Sequence, residues 1–325
     1  MTDRQSTTPP HRGATALLEA MRPQHWIKNG FVAAPLLFAG LFTSLTAWAE
    51  SLAAVASFCL LASAVYLVND ICDRRSDRAH PVKRHRPIAE GRLSVDLAAA
   101  AAVVLALAGA ALVAGVTWYV YDPSAPLGGW GLPVWTGAYL VLNLLYSFWL
   151  KKRAIVDVIV VAMGFVLRAM AGAAAIAVPV SPWLVVCTLT LCLFIAIAKR
   201  RSELGEVSGE QLAAARVASR GYDRETLEHM LTVSAALAIL TYSLYCLAPR
   251  TVKHIGSGHM VWTIPLVIYG TFRYYRNTQR AAASDAVALL VRDKVMWIVL
   301  AAYAVLCAII IQYGSAPAVK DILDV

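Results

Sequence analysis

The sequence predicts an all-α fold, a polytopic membrane bundle of nine transmembrane helices around a cytoplasm-facing cavity. Three observations carry that expectation. Of 325 residues, 59% are hydrophobic and only 15% charged, too little polar surface to clothe a water-soluble domain of this size. Apolar runs close to the roughly 20 residues that cross a bilayer as a helix recur along the whole chain. Once those runs are threaded, the Lys and Arg residues gather on one side, as the positive-inside rule requires.

The elements follow in order. Residues 1–13 are polar, with Pro9, Pro10 and Gly13; they lack the apolar core of a signal peptide and are expected to be disordered. ATALLEAMRPQHWIK, residues 14–28, mixes Leu, Met and Trp with Arg22 and Lys28, which suits a helix lying in the cytoplasmic interface. Residues 1–28 are therefore set apart as a cytoplasmic segment. Nine spans are expected at 29–48, 51–70, 94–120, 131–149, 154–177, 182–198, 229–248, 259–273 and 295–313, the eighth being the shortest. They make 29–313 one transmembrane domain and leave 314–325 as a short outer tail. With the amino terminus inside, Arg250, Lys253 and Lys320 lie outside, Arg168 lies within a span, and every other Lys and Arg is cytoplasmic. The outer connections YDPSAPLGGWG and VPVSP are rich in turn residues and offer little chemistry.

A net charge of +9 on such a chain reflects its basic cytoplasmic loops, so no nucleic-acid partner is expected. The six cysteines show no CxxC pair or zinc spacing and read as buried small hydrophobes, with Cys72 alone in a charged segment. Ala and Gly residues in the third and fifth spans read as close helix packing.

Charge concentrates after the second span, in NDICDRRSDRAHPVKRHRPIAEG, residues 69–91. If the helix continues past Asp70, then Asn69, Asp70, Asp73, Asp77 and His80 fall within an arc of about 100°. Arg74 and Arg75 point elsewhere, and Pro81 ends the helix. Carboxylates stacked at i and i+4 repel one another unless a cation sits between them, and positive-inside topology asks for no Asp at all. Oxygen ligands with room for water and phosphate oxygens suit Mg2+. Downstream, Lys83, Arg84, Arg86 and Arg92 supply donors for phosphate. Metal and basic residues together imply a diphosphate.

Other charged positions carry two readings each. In YSFWLKKRAIVD, between spans four and five, Tyr146, Lys151, Lys152 and Asp157 form either an aromatic belt with topogenic charges or a substrate contact. Lys28 and Asn29 either reach a lipid phosphate or anchor the first helix. A guanidinium is costly to bury, so Arg168 must face the bundle interior and meet an acid or a phosphate. Span six is followed by KRRSELGE, with Lys199, Arg200, Arg201, Glu203 and Glu206. Tyr222 and the RDK at 292–294 read as loop polar groups, and His25, His85 and His229 show no ligand spacing.

The pattern N-D-x-x-D-x-x-x-D, followed by K-x-x-R-P and a glycine, resembles the first aspartate-rich motif of the UbiA superfamily of intramembrane prenyltransferases. The extended form NDxxDxxxDxxHPxKxxRPIAxG, RPQHWIKN at 22–29 and KRxxEL after the sixth span are similar to the decaprenyl-phosphate phosphoribosyltransferase branch. That resemblance implies Mg2+-dependent transfer of 5-phosphoribose from phosphoribosyl diphosphate to a polyprenyl phosphate of the decaprenyl type. It also implies a bacterial inner (plasma) membrane, with the active site on the cytoplasmic side. In the site so implied, Asp73 and Asp77 hold the metal with help from Asn69 and Asp70, and Lys83, Arg86, Lys199 and Arg200 orient phosphates. Lys28, His80, Tyr146, Lys152, Asp157, Arg168 and Glu203 complete the substrate contacts.

Prenyl-diphosphate members of the superfamily carry a second aspartate-rich motif where this chain reads KRRSELGE. That departure counts against the nearest rival, an aromatic prenyltransferase. An anion transporter, the rival from another class, would place ionisable groups near the midplane, where this chain has Arg168 alone. A homo-oligomer is compatible with the sequence, which does not fix the oligomeric state.

Overall fold

The computed structural model describes residues 13–79, 83–124, 126–205, 222–280 and 293–314, without the side chains of Pro126, Lys152, Glu203, Leu204 and Arg280. The expected disorder over 1–12, the role of His80, Glu206 and the tail from 315 lie outside the described residues.

Among the described residues all regular structure is helical. The first elements are α1 (Ala14–Met21), a 3-10 turn (Pro23–Asn29), α2 (Gly30–Phe38), α3 (Leu45–Ala79), α4 (Pro87–Glu90) and α5 (Val95–Val120). They are followed by α6 (Gly131–Phe148), α7 (Val156–Ala175), α8 (Pro182–Gly205), α9 (Arg224–Leu247), α10 (Pro249–Ile255), α11 (Ile264–Arg280) and α12 (Lys294–Tyr313). Six of these, α3, α5, α7, α8, α9 and α12, are long and apolar enough to cross a membrane.

The remaining expected crossings differ in kind. Residues 29–48 do not form one helix: α2 has nine residues, about 14 Å of rise, and the chain breaks where Gly40 takes φ 71°, before α3 starts at Leu45. The expected fourth span is α6, of 18 residues with Asn143 inside it. The expected eighth is a 3-10 turn, His259–Thr263, leading into a 17-residue α11 whose second half is RYYRNTQR. By contrast α3 runs 35 residues and carries its helix beyond the apolar run into the charged motif, as the spacing of the acids requires.

Local chemistry sets several boundaries. Ser94 accepts a hydrogen bond from Leu97 N at the start of α5, Asp223 from Thr226 N at α9, and Asp293 from Val295 N and Met296 N at α12; each satisfies amides that the first turn leaves without a helical partner. Arg22, at φ 55° and ψ 60°, breaks α1 from the turn that follows. The single helix expected over 14–28 is therefore an α-helix followed by a 3-10 turn. Ala16 and Ala20 pack on Leu67 of α3 and on Ile88 and Leu93, because an alanine face fits closely against a neighbouring helix.

Two glycines show how close the helices come. A Cβ at Gly172 of α7 would stand 1.8 Å from the Val32 carbonyl oxygen of α2, and one at Gly109 of α5 would stand 2.7 Å from Leu61 of α3. Such small-residue contacts are how membrane helices gain packing without a hydrophobic driving force between them. Five of the six cysteines are buried and Cys72 is exposed, as their positions in the apolar spans imply.

Candidate active site

The helical continuation of α3 points its acids at basic groups from three other segments. Asp70, 2% exposed, accepts from Arg22 Nη2 at 2.6 Å and from Arg86 Nη1 at 3.0 Å. The same Arg86 nitrogen reaches Asp77 Oδ2 at 2.8 Å. Asp70 and Asp77 are thus bound inward by arginines from the junction between α1 and the 3-10 turn and from the segment before α4. Two buried carboxylates held by charge-assisted bonds fix the geometry of the motif.

Asp73 looks a different way. Lys151 Nζ donates to its two oxygens at 2.8 and 2.7 Å and approaches Asn69 Oδ1 at 3.5 Å. Asn69, one helical turn before Asp73, shares its face. The carboxylate keeps 27% of its surface exposed. The amide oxygen and the carboxylate therefore converge on one cation, which here is an ammonium. The same donor pair fits Mg2+, which takes oxygen ligands from one or two protein side chains and fills its shell with phosphate oxygens and water. Among the described residues no cluster of three His, Cys, Asp or Glu side chains could hold a metal by itself. Asp77 lies on Arg86 and does not join Asn69 and Asp73.

Across from this face, the turn between α6 and α7 carries a second cluster. Asp157, fully buried in the first turn of α7, pairs with Arg200 Nε of α8 at 2.7 Å and accepts from the Tyr222 hydroxyl at 2.7 Å. Arg200 Nη2 also donates to Tyr146 Oη at 3.2 Å. Burial, then the bond to Asp157, pushes the Tyr222 phenol up to about 12. Just ahead of α7, Ile155 adopts φ 68° and ψ −49°, and Val156 N bonds to Ala154 O at 2.7 Å across it. That is a γ-turn of the strained hand, and a β-branched residue there costs on the order of 1–3 kcal/mol.

The remaining predicted positions divide. Lys28 and Lys199 are half-buried and Lys83 is exposed in the 3-10 turn Lys83–His85. Arg201, next to Arg200, turns away, bonding Thr278 O at 3.1 Å, Glu228 Oε1 at 3.0 Å and the Gln279 side chain. Arg168 is buried, as expected, and its hydrogen-bond partners in the protein are neutral, not acidic. Its Nε donates to Asn29 Oδ1 at 2.9 Å, Nη1 to Gly164 O at 3.0 Å and Nη2 to Tyr139 Oη at 2.8 Å, with its guanidinium carbon 4.5 Å from the Tyr139 ring centre. Neutral oxygens and an aromatic face satisfy the charge inside the bundle. Asn29 is accordingly buried, its amide nitrogen on Cys59 Sγ at 3.2 Å.

Sequence reasoning left out Arg22 and chose Lys152 over its neighbour Lys151. Arg22 belongs to the RPQHWIKN stretch, a signal that was visible. Nothing in KKR distinguishes the two lysines, and Tyr222 is some 65 residues from Asp157 in sequence. A cavity of about 830 Å3 lined by Leu61, Val113, Trp118, Trp130 and Leu140 opens toward the opposite ends of α5 and α6; it holds none of the charged groups above.

The sequence profile of the UbiA prenyltransferase family matches residues 31–292. The chain belongs to that family. Among UbiA relatives, the decaprenyl-phosphate phosphoribosyltransferase of Corynebacterium glutamicum is 34% identical over 319 residues, covering 96% of this chain and 91% of its own length. The enzyme of the same name from Mycobacterium tuberculosis is 32% identical over 312 residues, 95% of this chain and 98% of its own. The UbiA fold is seen in a homolog from Archaeoglobus fulgidus bound to DMAPP and Mg2+, which superposes with a TM-score of 0.67 at 17% identity, covering 92% of this chain and 99% of that one.

Proposed function

We propose that this UbiA-family chain transfers 5-phosphoribose from phosphoribosyl diphosphate to the phosphate of a polyprenyl lipid, of the decaprenyl type, releasing diphosphate. The observation that carries the reading is the pairing of an Asn69–Asp73 oxygen platform with a basic cluster, Lys151 and Arg200, while the sequence after the sixth expected span reads KRRSELGE in place of a second aspartate-rich motif. Relatives named for this reaction at 32% and 34% identity over nearly the full chain support it.

Asn69 and Asp73 are the residues we assign to Mg2+, with Asp77 and Asp70 keeping Arg86 and Arg22 in place behind them. When bound, the ion supplies charge neutralisation to the departing diphosphate. Lys151, Arg86, Lys199 and Arg200 bind phosphate oxygens, Lys28, Lys83 and Tyr146 add substrate contacts, and His80, Lys152 and Glu203 are assigned to substrate on the family resemblance alone. The anomeric C1–O bond to diphosphate breaks, and an oxygen of the lipid phosphate forms the new bond to C1. That acceptor is already an anion at neutral pH, so orientation matters more than a general base.

The reading includes a nine-crossing bundle over 29–313, preceded by a cytoplasmic segment over 1–28. In it, α2 with its flanking turns, α6 and α11 serve as the additional crossings, and the charged end of the bundle faces the cytoplasm at a bacterial inner membrane. A polyprenyl acceptor suits such a site, since its chain stays in lipid while its phosphate meets a water-soluble donor. The deciding experiment incubates purified protein with Mg2+, phosphoribosyl diphosphate and a short polyprenyl phosphate and searches by mass for the lipid-linked phosphopentose. Asp73→Asn should abolish that product in a folded protein. Formation of a prenylated aromatic product from a prenyl diphosphate instead would overturn the assignment.

A further inference from the structure

The geometry points to Tyr222 as a positioning residue that pins the strained turn between α6 and α7 and so sets where Lys151 and Arg200 stand; the inference rests on the reaction proposed above. Its hydroxyl accepts from Ile155 N at 2.5 Å and donates to Asp157 Oδ1 at 2.7 Å. One atom thereby ties both sides of the residue with φ 68°. Conformations of this kind persist only where surrounding structure holds them.

The turn's internal bonds, Arg153 N to Leu150 O at 3.1 Å and Asp157 N to Arg153 O at 3.1 Å, bracket Ile155 but leave its own amide to Tyr222. Lys151 lies four positions before Ile155 and reaches Asp73. Asp157 lies two positions after it and reaches Arg200. A displacement at Ile155 therefore moves both cationic groups at once. Only a side chain that is donor and acceptor at a single atom can serve the two partners. Tyr222 is 6% exposed, and its raised phenol keeps its proton at physiological pH, so the donor to Asp157 is retained. It does not touch the Asn69–Asp73 platform, and its effect runs through Lys151 and Arg200.

The test uses full-length protein in detergent or nanodiscs, with Tyr222→Phe alone and combined with Ile155→Gly. Glycine adopts positive φ without the steric cost of a β-branched residue. Two readouts are taken: amide hydrogen exchange over 150–157, and kcat/KM for phosphoribosyl diphosphate.

Tyr222→Phe should speed exchange in that segment and lower kcat/KM by about tenfold or more, the scale set by ångström misplacement of binding groups. Adding Ile155→Gly should recover a substantial part of kcat/KM, because the turn then needs no outside hold. A merely structural role for Tyr222 would not be rescued by relief of strain at a different residue. Wild-type exchange in Tyr222→Phe, or a kcat/KM loss that Ile155→Gly leaves untouched, overturns the proposal. If Tyr222→Phe does not fold, a folded and active double variant supports the latch, and an unfolded one overturns it. Should the wild-type protein form no lipid-linked phosphopentose, the reaction assignment fails, while the exchange comparison still decides whether Tyr222 holds the turn.

Discussion

Replacing Lys151 by Met should tighten divalent-cation binding while lowering turnover. In the structure the Lys151 ammonium stands 2.7 Å from Asp73 Oδ2, in the position a metal would claim. At that separation and an effective dielectric near 20, the bare attraction is about 6 kcal/mol. The two side chains keep 16% and 27% of their surface exposed, so water and salt reduce the net pairing to about 1–2 kcal/mol. An incoming ion must displace that ammonium. Its removal should therefore lower the Kd for Mn2+, used as a spectroscopic stand-in for Mg2+, by about 5- to 30-fold. Electron paramagnetic resonance titration of free Mn2+ measures this without any substrate. Without the ammonium to hold a phosphate oxygen, KM for phosphoribosyl diphosphate should rise in the same variant. An unchanged or weaker Mn2+ affinity in Lys151→Met, alongside weakened binding in Asp73→Asn, would refute the idea that Lys151 and the metal compete for one site.

Asp73→Asn and Asp77→Asn should separate. The first should remove turnover with little change in thermal midpoint, whereas the second leaves Arg86 short of a buried partner at 2.8 Å and should lower the midpoint first, by a loss of about 2–4 kcal/mol. Arg168→Met removes three hydrogen bonds and orphans Asn29 Oδ1; the expected destabilisation is about 2–4 kcal/mol by unfolding in detergent, and Arg168→Lys should not restore it because an ammonium cannot span the same three acceptors. Arg273, at 2.7 Å from both oxygens, holds the Asp293 carboxyl well below its usual range, helped by the α12 amides and Asn277. A carboxylate depressed in the folded state contributes stability that is complete above about pH 4 and lost as the pH falls through its folded value. An acid titration of thermal midpoint should therefore show a step at the low end that Asp293→Asn lacks.

Different parts of the chain were legible to different degrees. The long apolar runs and the helical phase of Asn69 and Asp73 depend on neighbours within a few residues, and a linear reading finds them. The single helix expected over 29–48 is interrupted because hydrophobicity says nothing of the break at Gly40, which depends on a backbone dihedral. Arg168 was placed inside the bundle by the cost of burying its charge. Its protein partners lay beyond a linear reading, since the neutral oxygens come from Asn29 and Tyr139, which are distant in sequence.

By itself the sequence determined that a greasy helical bundle carries acids and basic groups on one end, because solvation energy and helical phase are local properties of residue type and spacing. Only the tertiary structure decided which acid faces which cation: Asp70 and Asp77 went to Arg22 and Arg86, Asp73 to Lys151, and Asp157 to Arg200 and Tyr222. The physical reason is that charges of like kind are interchangeable along a chain, and distance in space, set by how the helices pack, selects among them.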